Sequence, residues 1–203
     1  MATQSLLPDT SVGGGDYLYA PTAKAPGGSC IELTTAYSAK EPLLWAWDWC
    51  GSVSPGKTVR VDSDFLTTYT TTVEGRPAYT FAEALTDART NAWSVYLYNY
   101  ARESWDTFYS SSGKDKSNFD FGWDTYEVYT TTNPATGNGY ICDATHGTTI
   151  ESSGIRLYTS AWVPATPEVA PLSSSPPSGA AFRCPALRLG VRSPDDDWIA
   201  VNQ

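Results

Sequence analysis

The chain has few of the residue types that most often carry metal and nucleophilic chemistry. Among its 203 residues are one histidine, one methionine and four cysteines, and 17% of the residues are charged. No two cysteines have the short spacing of a zinc knuckle, so the sequence does not indicate a structural zinc site. Four cysteines predict two disulfides, which are typical of an oxidising compartment. We therefore expect a secreted, extracellular protein.

Basic residues are scarce as well. The sequence has 13 Lys and Arg against 22 Asp and Glu, a formal net charge of -9. This charge repels phosphate backbones and no Lys/Arg cluster interrupts it, so a nucleic-acid partner is not expected. No apolar run approaches the roughly 18 residues that cross a bilayer, so we expect no membrane span.

Aromatic residues are abundant, at 13%, and short apolar-alternating segments are separated by turn signals. This pattern predicts an all-β fold, an antiparallel two-sheet β-sandwich or jelly roll. Thr80-Phe81-Ala82-Glu83 matches a capping box and predicts one short helix over Phe81–Ala88. Glycine-rich residues 1–29 predict an N-terminal arm through which chains could self-assemble, residues 30–203 form the sandwich domain, and Pro/Ser-rich residues 171–179 form a loop.

Two strands flanking a polar turn, Ile31–Tyr37 and Leu43–Cys50, predict a hairpin. Cys30 and Cys50 lie symmetrically about Lys40, so a register in which paired residue numbers sum to 80 brings them together. This predicts the disulfide Cys30–Cys50 and leaves Cys142–Cys184 as the second.

The same register places Glu32 opposite Asp48. Two carboxylates with Cβ atoms about 5 Å apart need a shared proton or a cation, as in an acid/base dyad or a calcium site. The alternative is a pair of solvated carboxylates. Apart from such a calcium ion, no cofactor is expected. On the other face, Ile31 and Leu33 would lie beside Trp45, Trp47 and Trp49, which favours a core position for these tryptophans over a sugar-stacking platform.

A second aromatic face lies further along the chain. Tyr96, Tyr98 and Tyr100 alternate with the apolar residues of one strand, and Trp105 and Asp106 follow in the next, which predicts an exposed ligand-binding surface. Glu127 alternates with Trp123, Thr125 and Tyr129 and therefore shares a face with groups that contact polyols. Glu32, Asp48 and Glu127 are the candidate catalytic residues.

The aromatic spacing of residues 91–100, of Trp105-Asp106 and of residues 122–127 resembles that of secreted bacterial β-sandwich proteins. More distantly, it resembles the two-sheet architecture of the acid glutamic peptidases. The resemblance covers roughly Cys30 to Val163. Those peptidases use a Gln/Glu pair, whereas the only glutamines here are Gln4 and Gln203, so no catalytic residue is transferred.

These observations favour a secreted, noncatalytic β-sandwich that binds carbohydrate or another extracellular polymer. The first alternative is a carboxylate-dependent hydrolase, either a glycosidase or an acid peptidase, that uses Glu32, Asp48 or Glu127. The second is a structural subunit of an extracellular assembly.

Overall fold

Two antiparallel sheets packed face to face form the body of the protein, which confirms the prediction of an all-β sandwich. The computed structural model describes residues 1–166, 168–169, 176–193 and 196–203. Residues 171–175 of the predicted Pro/Ser-rich loop lie outside the described residues.

Within the described residues, the large sheet has eight strands and the small sheet has five. The large sheet runs in space as β14 (Leu187–Ser193), β15 (Asp197–Asn202), β11 (Thr148–Ser153), β1 (Ala2–Ser5), β7 (Arg76–Asp87), β8 (Ala92–Asn99) and β9 (Ser104–Ser112), with β6 (Thr70–Val73) also pairing with β7. The small sheet runs as β10 (Trp123–Tyr129), β2 (Tyr17–Lys24), β3 (Ile31–Tyr37), β4 (Leu43–Asp48) and β5 (Ser54–Arg60). A separate ribbon pairs β12 (Arg156–Tyr158) with β13 (Trp162–Pro164).

In the part of the chain that the structure describes, helix is confined to short segments, and the predicted helix position was wrong. The helices are α1 (Ser63–Tyr69), α2 (Tyr140–Ala144) and a 3-10 turn over Gly179–Phe182. Phe81–Ala88 is instead occupied mostly by β7, because Phe81 and Glu83 are buried at alternate positions, a period of two that helix cannot satisfy. Helix α1 begins after Asp62, whose carboxylate accepts the backbone N–H of Phe65 at 3.0 Å.

Residues 1–29 supply interior strands to both sheets rather than an arm lying over them. Strand β1 pairs with β7 on one side and β11 on the other, and β2 pairs with β10 and β3. Both edges of each strand are therefore hydrogen-bonded within the chain. The segment offers no free strand edge through which copies of the chain could exchange strands.

Both predicted disulfides, Cys30–Cys50 and Cys142–Cys184, are present. The predicted register between β3 and β4 was nevertheless wrong by one residue. Glu32 pairs with Trp47, and the backbone N–H of Trp49 donates to the carbonyl of Cys30 at 2.8 Å. Cys50 lies beyond the end of β4, in the following turn, and reaches Cys30 from there. A one-residue change of register moves every side chain of a strand to the opposite face relative to its partner.

The core lies between the inner faces of the two sheets. Ile31, Leu33 and Leu44 of the small sheet belong to one buried cluster with large-sheet residues that include Val95 and Leu97. A second cluster gathers around Tyr37, Ile150 and Trp198. No helix among the described residues is long and apolar enough to cross a membrane.

Candidate functional site

Three tryptophans line the outer face of the small sheet: Trp45 and Trp47 on β4, and Trp49 directly after it. Leu44 and Ala46 are fully buried in the core, so the alternating Trp45, Trp47 and Trp49 point the other way and are half-buried. Their ring centroids are 6.3 Å apart from Trp45 to Trp47 and 6.1 Å from Trp47 to Trp49. The prediction that Trp45 and Trp47 belong to the core was therefore wrong, since it depended on the incorrect register.

Tyrosines of neighbouring strands extend this aromatic row across the sheet. The ring of Tyr19 on β2 lies 5.3 Å from that of Trp45 and 5.7 Å from that of Tyr129 on β10. These rings and their neighbours line an open groove of about 920 Å³, which we call the aromatic groove. Its lining residues are Tyr17, Tyr19, Glu32, Thr34, Trp45, Trp47, Trp49, Phe119, Phe121, Trp123, Thr125, Tyr126, Glu127, Val128 and Tyr129.

Glu32 lies at the floor of the aromatic groove and is 7% exposed. Its Oε1 accepts the hydroxyl of Thr22 at 2.6 Å and the indole N–H of Trp123 at 2.9 Å, while Oε2 accepts the indole N–H of Trp49 at 2.9 Å. Burial raises the pKa of Glu32 above its ordinary value; these three hydrogen bonds oppose the rise, and the negative charge of Glu127 adds to it. The result is a rigidly held carboxylate with a raised affinity for a proton.

Glu127 supplies the second carboxylate of the groove. It pairs with Tyr19 across β10 and β2 and accepts the phenol hydroxyl of Tyr129 at 2.5 Å. This hydrogen bond is the main reason that the pKa of Tyr129 rises to about 12. Trp123, Thr125 and Tyr129 line the groove with Glu127, so the four residues that share a face in the sequence pattern are together in the structure.

The loop between β9 and β10 forms one wall of the groove. Phe119 and Phe121 project from it, 48% and 62% exposed, and their rings lie 5.8 Å and 6.4 Å from that of Trp123. The loop is attached through Asp115, which pairs at 2.9 Å with the fully buried ammonium group of Lys24. This ion pair connects the loop to β2.

Asp48 lies away from the groove, on the opposite face of the small sheet from Glu32. It accepts hydrogen bonds from Ser111 at 2.7 Å and Tyr109 at 2.8 Å, and from the backbone N–H groups of Cys50 and Gly51 at 2.9 Å each. Burial disfavours its ionisation, but these donors outweigh burial and lower its pKa. The predicted Glu32–Asp48 dyad and the calcium site that depended on it are therefore wrong, because the true register separates the two side chains. Asp48 connects β4 to β9 instead.

The predicted tyrosine surface lies on the large sheet, far from the groove in the fold. Tyr98 packs edge-on against Tyr100 at 4.9 Å and against Trp105 at 5.2 Å. The Asp106 carboxylate accepts hydrogen bonds from Arg102 at 2.7 Å, Asn99 at 2.8 Å and Tyr69 at 3.0 Å. Tyr96 lies on β8 with Tyr98 and is half-buried. These residues form a small aromatic patch, and their role as a ligand site stays a prediction.

Sequence reasoning missed Tyr17, Tyr19, Phe119 and Phe121 as groove residues. The signal for Tyr17 and Tyr19 was their alternation in Tyr17-Leu18-Tyr19, where Leu18 is fully buried. The phenylalanines lie in an irregular loop, whose course no periodicity predicts.

Comparison of the chain with protein-family models, with curated proteins and with solved structures finds no match. The groove itself is therefore the main structural indication of function.

Proposed function

We propose that this chain is a secreted protein that binds an extracellular polysaccharide, without cleaving it, in the aromatic groove of the small sheet. The observation that carries the proposal is the row of aromatic rings from Tyr129 through Tyr19 to Trp45, Trp47 and Trp49. Sugar rings present apolar faces that stack on such rings. A largely apolar groove with a few fixed polar groups is also the usual form of a small-molecule or polymer subsite.

The polar groups of the groove suit the hydroxyls of a sugar. Glu32 accepts three hydrogen bonds from the protein and is held in one orientation before any ligand arrives. Thr34, Thr125 and Glu127 also line the groove and can donate to or accept from hydroxyl groups. A groove whose walls are already ordered loses little conformational entropy on binding, which favours affinity.

Two disulfides support the proposed location outside the cell, because such bonds persist in oxidising compartments. An extended polysaccharide is a ligand that a secreted protein would meet. The alternative of a structural subunit assembled through residues 1–29 has less support, since β1 and β2 are paired on both edges.

A glycan array, followed by calorimetry on the glycans that bind, tests the proposal. Trp45→Ala should lower affinity about tenfold, because a flat ring stacked on an aromatic side chain contributes on the order of 1 to 3 kcal/mol. Tyr98→Ala on the large sheet is the matched aromatic control and should leave affinity unchanged. If no glycan binds, or if Tyr98→Ala alone reduces binding, the groove is not the site.

A carboxylate-dependent hydrolase is the second candidate. The observation in its favour is that Glu32, with its raised pKa, shares the groove with the carboxylate of Glu127. Pairs of carboxyl groups with different pKa values act as acid and base in glycosidases. A hydrolysis screen with polysaccharides and denatured proteins at acidic pH tests it: turnover that Glu32→Gln abolishes would replace the binding proposal with this one.

A further inference from the structure

The aromatic groove carries negative charge and no positive charge among its lining residues. Its charged lining residues are Glu32 and Glu127. Lys24 pairs with Glu32 across β2 and β3, and its ammonium group lies 5.3 Å from the ring of Trp123. Its side chain has no exposed surface and is paired with Asp115, so it does not face a ligand in the groove. The chain as a whole has a net charge of -9, which strengthens the negative potential at the groove.

The partners of both carboxylates are neutral. Glu32 is held by a threonine hydroxyl and two indole N–H groups, and Glu127 by a tyrosine hydroxyl. These donors stabilise the carboxylates without cancelling their charge. A neutral ligand that covered the groove would remove water from Glu127 and leave its charge without compensation, which is unfavourable. A cationic ligand would compensate that charge.

The aromatic rings beside Glu127 favour cations as well. Tyr19 and Tyr129 lie 5.7 Å apart, and both ring systems line the groove next to that carboxylate. The faces of aromatic rings attract ammonium groups, most strongly where water is excluded. Carboxylate and ring faces together form a site for an ammonium group next to the stacking surface of Trp45 and Trp47.

We propose that the ligand of the aromatic groove is a polysaccharide of amino sugars whose amino groups are free and protonated. The sugar rings stack on the tryptophans of β4, and an ammonium group pairs with Glu127 at the rim. This inference rests on the proposed carbohydrate-binding function and specifies its ligand. A continuous row of half-buried indoles fits successive flat rings better than the flexible side chains of a basic peptide.

Calorimetry with three hexasaccharides tests the inference: β-1,4-linked glucosamine, its fully N-acetylated counterpart and β-1,4-linked glucose. The three differ only in the charge and bulk of one substituent. The glucosamine hexamer should bind at least about tenfold more tightly than the other two, since a charge-assisted hydrogen bond contributes on the order of 1.5 to 3 kcal/mol. The preference should shrink at high salt, which screens charges.

Glu127→Gln supplies the decisive comparison, because Glu127 is half-buried at the rim and the amide oxygen can still accept the Tyr129 hydroxyl. It should remove most of the preference for the glucosamine hexamer over the glucose hexamer, which is a ratio of two affinities measured on the same variant. Glu103→Gln, an exposed position on the β8–β9 turn, is the matched control and should keep the preference.

Three results would overturn the inference. Equal binding of the three hexasaccharides would leave carbohydrate binding intact and remove the amino-sugar assignment. Binding of none of them, together with a silent glycan array, would remove the proposed function with it. Tetralysine that binds as tightly as the glucosamine hexamer, with the same dependence on Glu127, would assign the groove to basic peptides.

Discussion

The indole N–H of Trp123 donates a 2.9 Å hydrogen bond to Oε1 of Glu32, although their strands, β10 and β3, are separated by β2. Thr22, on the intervening strand, donates to the same oxygen at 2.6 Å. One buried carboxylate thus joins three strands of the small sheet at the floor of the aromatic groove. The geometry of that floor depends on a charge as much as on packing.

Removing one of these donors should show how strongly Glu32 depends on them. Trp123→Phe keeps an aromatic ring but deletes the indole N–H together with the five-membered ring, so it should destabilise the fold by at least about 1 to 3 kcal/mol at neutral pH. Protonating Glu32 relieves part of this loss, so the difference from wild type should be smaller at acidic pH. Denaturant titrations at two pH values measure it. A cost that is the same at both would mean that the indole contributes only packing.

Two further carboxyl groups, buried between the sheets, should make stability depend on pH. Burial raises the pKa of Glu83 to about 7 and that of Asp124 to about 6. A carboxyl group with a raised folded pKa binds more protons in the native state, so its contribution to stability falls as pH rises from its ordinary value through the folded one. Glu83→Gln should therefore gain about 1 to 2 kcal/mol relative to wild type between about pH 5 and about pH 8.

The same comparison with Asp124→Asn should show its gain at lower pH, in keeping with the lower pKa of Asp124. Asp87→Asn, at a partly exposed position on β7, is a control whose difference from wild type should not grow over this range. A Glu83→Gln difference that is flat from pH 5 to pH 8 would contradict the buried, proton-binding role.

Removing only Lys24 of the Lys24–Asp115 pair should destabilise the fold strongly, whereas replacing both residues with apolar ones should change its stability little. Lys24→Met leaves Asp115 without its cation and should cost about 3 to 5 kcal/mol. The double variant Lys24→Met/Asp115→Leu should recover most of that stability, because no uncompensated charge is left behind. Both should reduce ligand affinity if the loop carrying Phe119 and Phe121 is positioned by the pair. Additive effects of the two substitutions in a double-mutant cycle would show that they do not interact.

The tryptophans of the two sheets should respond in opposite ways to truncation. Trp93 is 7% exposed in the core, so Trp93→Ala should cost about 3 to 5 kcal/mol of stability. Trp47→Ala in the groove should cost much less stability and should reduce ligand affinity. Thermal melts and calorimetry on both variants measure the two effects. Equal destabilisation would mean that Trp47 serves the core after all.

The disulfides should differ modestly in their contributions. They close loops of 20 and 42 residues, for which the loop-entropy relation gives about 3 and about 4 kcal/mol. The pairs of Cys→Ser substitutions should therefore rank with Cys142/Cys184 as the more costly. Mass mapping of nonreduced peptides checks the connectivity independently, and any other pairing would contradict the fold described above.

The sandwich and both disulfides could be predicted from the sequence, because neither prediction changes if the register between two strands is wrong by one residue. The predicted site does change. One residue in the register of β3 and β4 decides whether Glu32 shares a face with Asp48 or with Trp47, and the turn at residues 38–42 fits both registers by composition. The position of α1 was missed because Phe65, not Glu or Gln, stands three residues after its cap Asp62, whereas Thr80-Phe81-Ala82-Glu83 matches a capping box although it lies in β7.

Strand β1 bears on how the molecule is made. Thr3 hydrogen-bonds the hydroxyl of Thr80 on one side, 77 residues away, and its carbonyl accepts from Ser153 on the other, 150 residues away. Contacts so distant along the chain close large loops and slow folding. During synthesis the middle of the large sheet must remain open until residue 153 has left the ribosome. The sandwich can therefore be completed only after most of the chain has been made.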